Sequence, residues 1–201
     1  MKKTLKYILG VLVASFAMGS CVDNDDVVVN YYASTKVTAA GFLDQNPERF
    51  SQFINILQRT PYYALLSTYG EFTLFAPTND AIDKYVSGMG LQGIEFLTDA
   101  VCDTLARTHI IKKGAYFTTD VVEGAMPDLN MEDSYIVLSS DSDVYNNNEL
   151  IYYINKNARM IEYDDSVTNG VVHTVNNVIT RTSDFLPDRI ALDSTLTLFT
   201  Q

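Results

Sequence analysis

The chain has no tryptophan, two cysteines and two histidines in 201 residues. Zinc asks for three or four Cys, His or carboxylate ligands at short spacings, and neither H-E-x-x-H nor paired C-x-x-C occurs, so no metal centre is expected. No serine or cysteine motif supplies a nucleophile for either histidine, and neither G-x-G-x-x-G nor G-x-x-x-x-G-K is present to cradle phosphates. No cofactor and no enzymatic activity are therefore expected. Basic residues are scarce as well. Fourteen Lys and Arg face 25 Asp and Glu, and a net charge of −11 repels a phosphate backbone, which excludes nucleic acid as a partner. Thirteen Tyr and ten Phe raise the idea of a sugar-stacking surface, but most fall at core-periodic positions, which favours packing. At 47% hydrophobic and 19% charged, the chain is otherwise composed like a single globular domain.

The first residues carry Lys2, Lys3 and Lys6, then an apolar run over residues 7–18, then Gly19 and Ser20 before Cys21. This is the pattern of a secretory signal peptide over residues 1–20. The run is too short for a hydrocarbon core that asks for about 20 residues. Met18-Gly19-Ser20-Cys21 resembles a bacterial lipoprotein box, which implies cleavage before Cys21 and lipidation of that residue. An acylated cysteine anchors through its buried methylenes and inserts no polypeptide. Cleavage removes three lysines and no acid, so the mature chain is more acidic still. Asp23, Asn24, Asp25 and Asp26 follow at once. They read either as a solvated tether over residues 21–34 or as the acidic surface-export signal of some Gram-negative lipoproteins. With Cys21 lipidated, Cys102 is left without an intrachain disulfide partner.

Residues 27–38 are apolar and Tyr-rich without a clear period, and are expected to pass from tether to a first strand or extended arm. Asn46 is expected to cap a helix with Pro47 at its first position, because Phe50, Phe53, Ile54 and Leu57 then share one face. Thr60-Pro61 starts a second helix, with Tyr62, Leu65, Leu66 and Tyr69 as its buried stripe and Gly70 as its stop. Residues 72–76 read as a strand covered on both faces. Thr78 or Asn79 caps the next helix, which runs to the break at Gly88. A longer helix is expected after Gly93, with Ile94, Leu97, Val101 and Leu105 inward and Cys102 in the core. The rest reads as strands at 109–111, 115–118, 135–139, 150–154, 158–163 and 171–179. Helices early and antiparallel-looking strands late define an α+β domain. Residues 183–201 are either a C-terminal tail or the start of an incomplete repeat, since Leu186-Pro187-Asp188-Arg189 faintly echoes the region near Leu43.

Strand alternation places His173 with Val171 and Val175 on a core face, where a neutral imidazole bonded to backbone is favoured over a catalytic base. His109, at a helix-to-strand junction, is open to three roles: C-terminal cap, core partner or exposed contact. Asp141, Asp143, Asn147 and Glu149 have some of the spacing of a calcium loop, but Tyr145 takes a ligand position and the turning glycine is missing. A polar hairpin loop is expected there.

Residues 72–82, Phe-Thr-Leu-Phe-Ala-Pro-Thr-Asn-Asp-Ala-Ile, resemble the first signature block of the fasciclin-like domain. Residues 169–179, Asn-Gly-Val-Val-His-Thr-Val-Asn-Asn-Val-Ile, resemble the second, and Thr108-His109-Ile110-Ile111 falls where the family has its central Tyr-His motif. The resemblance covers residues 35–182. It implies a β-sandwich-like wedge with helices packed around it, and it makes Thr78, Asn79, Asp80, Asn169, Gly170 and His173 the structural signature. Asn169-Gly170 is a tight-turn pair, and His173 is expected to bond Thr78 or Asn79 at the helix cap. The family is known for adhesion and extracellular binding without common catalysis. In adhesive relatives the central motif is linked to partner binding; here Thr108 replaces the tyrosine, which speaks against integrin-type recognition and leaves His109, Ile110 and Tyr116 as the positions to test. The expected function is a lipid-anchored cell-surface binding or adhesion module on the outer membrane of the cell envelope, with an extracellular protein or glycan as ligand. The alternative is an accessory surface lipoprotein of an outer-membrane nutrient-uptake complex, with a transporter as partner.

Overall fold

Thr38 opens a helix where an extended arm was expected to end. Its hydroxyl accepts from the Gly41 backbone N–H and caps α1 (Ala39–Gln45), whose Ala39, Ala40 and Leu43 are buried. The computed structural model describes residues 36–143 and 149–180; the expected signal peptide, Cys21, the tether and residues 183–201 lie outside the described residues. Among the described residues no helix is long and apolar enough to cross a membrane.

Helix α2 (Pro47–Gln58) follows with proline at its first position, and Phe50, Phe53, Ile56 and Leu57 are buried. Each of these side chains contributes about 1.5–3 kcal/mol when fully withdrawn from water. Asn46 does not cap α2. Its amide reaches back to the Phe42 carbonyl and so closes α1, because the two helices abut and α1 leaves the nearer orphan group. Helix α3 (Tyr62–Leu66) is shorter than expected, and Tyr69 is 99% exposed instead of buried. Ser67 and Thr68 turn their hydroxyls onto the carbonyls of Tyr63 and Leu65, which ends the helix early.

Strand β1 (Phe72–Pro77) is buried along its whole length, as its apolar run predicts. Thr78 caps α4 (Asn79–Gly88) by accepting from Ala81 N. The single helix expected after Gly93 is instead a 3-10 turn (Ile94–Phe96) and then α5 (Asp99–Thr108). Thr98 caps α5, and the Arg59 guanidinium holds the intervening chain by donating to the Ile94 and Leu97 carbonyls and to Asp99. Cys102 is in the core, as expected.

Among the described residues six further strands follow: β2 (Ile110–Lys112), β3 (Gly124–Ala125), β4 (Val137–Asp143), β5 (Glu149–Ile154), β6 (Ala158–Val167) and β7 (Gly170–Val175). The expected strand at 115–118 is irregular chain, and residues 176–179 continue past β7 without strand pairing. The order is β2-β1-β7-β6-β5-β4-β3, with β1 and β7 parallel and every other pair antiparallel. β6 changes partner along its length, pairing with β5 at Ala158 and Arg159 and with β7 from Met160 to Val167, with two register shifts between Met160 and Asp165. Such bulges bend a strand and raise its twist. One cluster therefore gathers Phe75 and Ile111 from one end of the sheet with Leu138 and Ile154 from the other, so the sheet curls around an inner core. The other face of β1 and β7, through Phe72, Leu74, Ala76 and Val172, packs on the helices. The α+β class and the wedge are as expected, built from one curled sheet.

Candidate functional site

The two signature blocks meet as neighbouring parallel strands, with Phe72 beside Gly170 and Pro77 beside Val175. Gly170 has φ +145, and a β-carbon there would lie 1.9 Å from the Phe72 carbonyl oxygen, so the ladder closes only over glycine. Asn169, 1% exposed, accepts from Ala39 N at 2.8 Å and donates to the Leu66 and Thr68 carbonyls at 2.8 and 2.7 Å. One side chain thus serves the start of α1 and the end of α3, whose termini leave those groups without helical partners. Thr78 is the cap already described. Asn79 ties α4 to α2, accepting from Gln52 N and donating to the Glu48 carbonyl. Asp80 is exposed in the first turn of α4, where a carboxylate favours the helix dipole.

His173 does not bond Thr78 or Asn79. Its Nε2 donates to the Tyr116 carbonyl at 2.9 Å and its Nδ1 accepts from Asp164 N at 3.1 Å, while its ring stacks on Phe75. Alternation turns it to the inner core, away from the helix cap, which is the physical reason the expected pairing fails. Thr73, on the same face of the ladder, accepts from Tyr116 N and donates to the Gly114 carbonyl, and Asp164 accepts from both N and Oγ1 of Thr118. These side chains pin the irregular segment 113–118. Burial holds the His173 pKa below its ordinary value.

His109 resolves into two of its three expected roles. It is the C-cap residue of α5, donating from Nδ1 to the Leu105 carbonyl at 2.7 Å, and it accepts at Nε2 from Ile179 N in the core. Complete burial brings its pKa down to about 4. Neither His109 nor Ile110 is exposed, so neither presents an atom to a partner, which corrects their selection as contact positions. Tyr116 is half-buried; its hydroxyl donates to Asp128, and that bond together with burial pushes its pKa up to about 12.

Asp128 leads to a feature the sequence did not single out. A groove of about 320 Å³ lies outside β2, lined by Lys112, Lys113, Asp128, Leu129, Asp133 and Tyr135 among others. One wall is the end of β2 and the residue after it. Lys113 is held at φ +127 as its N–H donates to the Glu71 carbonyl, a costly backbone for a non-glycine residue. The other wall is clamped by buried Asn130, which donates to the Thr108 carbonyl and accepts from Glu132 N and Ser134 N. Met131 N also donates to the Ile110 carbonyl. Tyr135, expected in a strand, precedes β4 and is 62% exposed at the groove, with Leu129 at 39%. Beyond Lys2-Lys3, Lys112-Lys113 is the one place in the sequence where two basic residues adjoin, and this is the signal that could have found the groove. Among the described residues no group of three or more potential ligands could hold a metal ion.

The fasciclin domain family profile matches residues 48–181. No curated protein matches the sequence. Among solved structures, the fold is similar to the FAS1 domain pair of the insect cell adhesion molecule fasciclin I, at 17% identity and a TM-score of 0.57 over 72% of this chain. The match spans 51% of that chain's length, about half. With the profile covering most of its length and both signature blocks paired as neighbouring strands, the chain belongs to the fasciclin domain family.

Proposed function

We propose that the chain is a lipid-anchored cell-surface binding module that acts by adhesion, without catalysis. The observation that carries this reading is the engagement of both histidines. Each is buried, neutral in its bonding and committed at both ring nitrogens, which leaves neither as a base or a ligand. The likeness to a cell adhesion molecule supports the same class of role here. The lipoprotein box at Cys21 supports an anchor at the outer membrane, and the acidic residues after it support exposure on the outer side.

Cells displaying the full chain are compared with cells carrying Cys21→Ala. The expected results are acyl labelling and protease-sensitive surface protein for the parent, loss of the label for the variant, and adhesion of parent cells to a glycan- or matrix-coated surface. Recovery of the parent from mild detergent at near-equal amount with a β-barrel transporter would replace adhesion with the accessory role.

A further inference from the structure

We propose that the groove between β2 and residues 127–135 binds a saccharide bearing uronic acid, an inference that rests on the adhesion reading and names its ligand. Four observations on the lining converge. Lys112 and Lys113 stand side by side in a strongly acidic chain, and the structure gives neither an ion-pair partner among the described residues. Cations at a concave site that are not held in an ion pair are a place for an anion. Tyr135 and Leu129 present exposed apolar surface beside them, and an aromatic ring offers a face to the C–H groups of a sugar. Asp128 and Asp133 line the same groove, where carboxylates accept hydroxyl protons. The volume, about 320 Å³, is at the small end of the range for pockets that hold a small ligand.

The mixed sign of the lining decides between occupants. A polyacidic peptide would meet the two lysines but also two carboxylates, and every additional negative charge would be repelled. A saccharide with one carboxylate per ring brings one anion for the lysines and several hydroxyls for the aspartates. The walls are set before any ligand arrives. Lys113 is fixed in an unfavourable backbone conformation, and Asn130 ties the facing segment to the end of α5. The backbone of such walls has little freedom left to lose on binding, so the ordering cost falls on the exposed side chains alone.

The test titrates the full chain with digalacturonate and with its dimethyl ester, a neutral twin of nearly the same shape. The acid is expected to bind at least about tenfold tighter than the ester, with the gap narrowing as salt is raised. Lys112→Gln with Lys113→Gln should erase the preference for the acid while leaving ester binding in place. Tyr135→Ser should weaken both ligands together. All three positions are exposed or bordering the groove, and thermal unfolding of each variant verifies that the fold is retained. Equal binding of acid and ester, absence of saturable binding by either, or displacement of digalacturonate by hexa-aspartate at lower concentration would each overturn the proposal. If the saccharide fails while displaying cells still adhere, the groove assignment falls and the adhesion reading stands. If the saccharide binds but displaying cells do not adhere, the adhesion reading falls and the groove assignment stands.

Discussion

The two faces of the β1–β7 ladder use buried polar side chains on different kinds of backbone. On the helix face, Asn169 joins the start of α1 to the end of α3, and His109 closes the last turn of α5. On the inner face, His173, Thr73 and Asp164 hold irregular chain at 113–118 that belongs to no strand or helix. Helices make most of their own hydrogen bonds and need side chains at their ends alone. Irregular chain makes few, and a buried length of it is held in place by whatever bonds it from outside. Damage on the helix face should therefore spread through the whole fold. Damage on the inner face should stay local, near the groove that segment 113–118 adjoins.

The largest expected effect is at Gly170, where the two faces share one backbone. An added β-carbon meets a carbonyl oxygen of the neighbouring strand, a backbone atom that cannot swing aside, at a φ that side chains rarely adopt. Gly170→Ala is expected to cost more than about 4 kcal/mol, enough to leave little folded protein. Circular dichroism and thermal melting of the variant provide the check. A melt close to the parent's would mean that the β1–β7 joint yields, and the contrast between its faces would lose its basis.

The two histidines sharpen the contrast through pH. Both pKa values are lowered by burial, so the unfolded chain takes up protons that the folded chain refuses. Their stability is fully present above the unfolded value near 6.5 and is lost as pH falls below it. For His109, with a folded value of about 4, the loss approaches roughly 3 kcal/mol by that pH. His109→Gln should flatten global unfolding free energy between pH 6.5 and 4, since glutamine stays neutral throughout. For His173 the bond to the Tyr116 carbonyl, and then the Asp164 carboxylate 3.9 Å away, offset part of the burial, and Gln there should flatten the same window in the same direction. Its clearer mark should be faster amide exchange at Tyr116 and Thr118. Global destabilisation by His173→Gln equal to that of His109→Gln would contradict the local role of the inner face.

Much of the framework was legible in local pattern. The apolar run at 72–76, the Thr78 cap, Pro47 at a helix start and the alternation around His173 all survive because each depends on neighbours in the chain. The failures share a cause in partners distant in sequence. Nothing near Thr98 shows that Arg59 will hold the chain before it, and nothing near His173 names Tyr116 as its acceptor. Helix α1 was hidden behind an apolar stretch with no period. The groove was legible only as the Lys112-Lys113 pair, because its second wall depends on Asn130, whose bonds are invisible in composition.

The smallest effect tests the helix face at its weakest point. Asp165 lies in β6 opposite Val172, near Glu162, whose carboxylate pairs with Arg49 of α2 at 2.8 Å. Its Oδ2 is buried and has no hydrogen-bond partner, and burial, followed by the charge of Glu162, raises its pKa. Because the fold favours the protonated form, stability associated with Asp165 is present at low pH and declines as pH rises through the raised value. Asp165→Asn removes the charge while keeping the shape. The gain at pH 7 should be no more than about 1 kcal/mol, since the residue is partly open to solvent that screens it. The gain should shrink as the solution is acidified through the carboxylate range, where Asp165 acquires its own proton. Urea unfolding at pH 7 and pH 4 separates the cases. A loss of stability at pH 7 would show that attraction to Arg49 outweighs burial, and that the helix face satisfies this carboxylate after all.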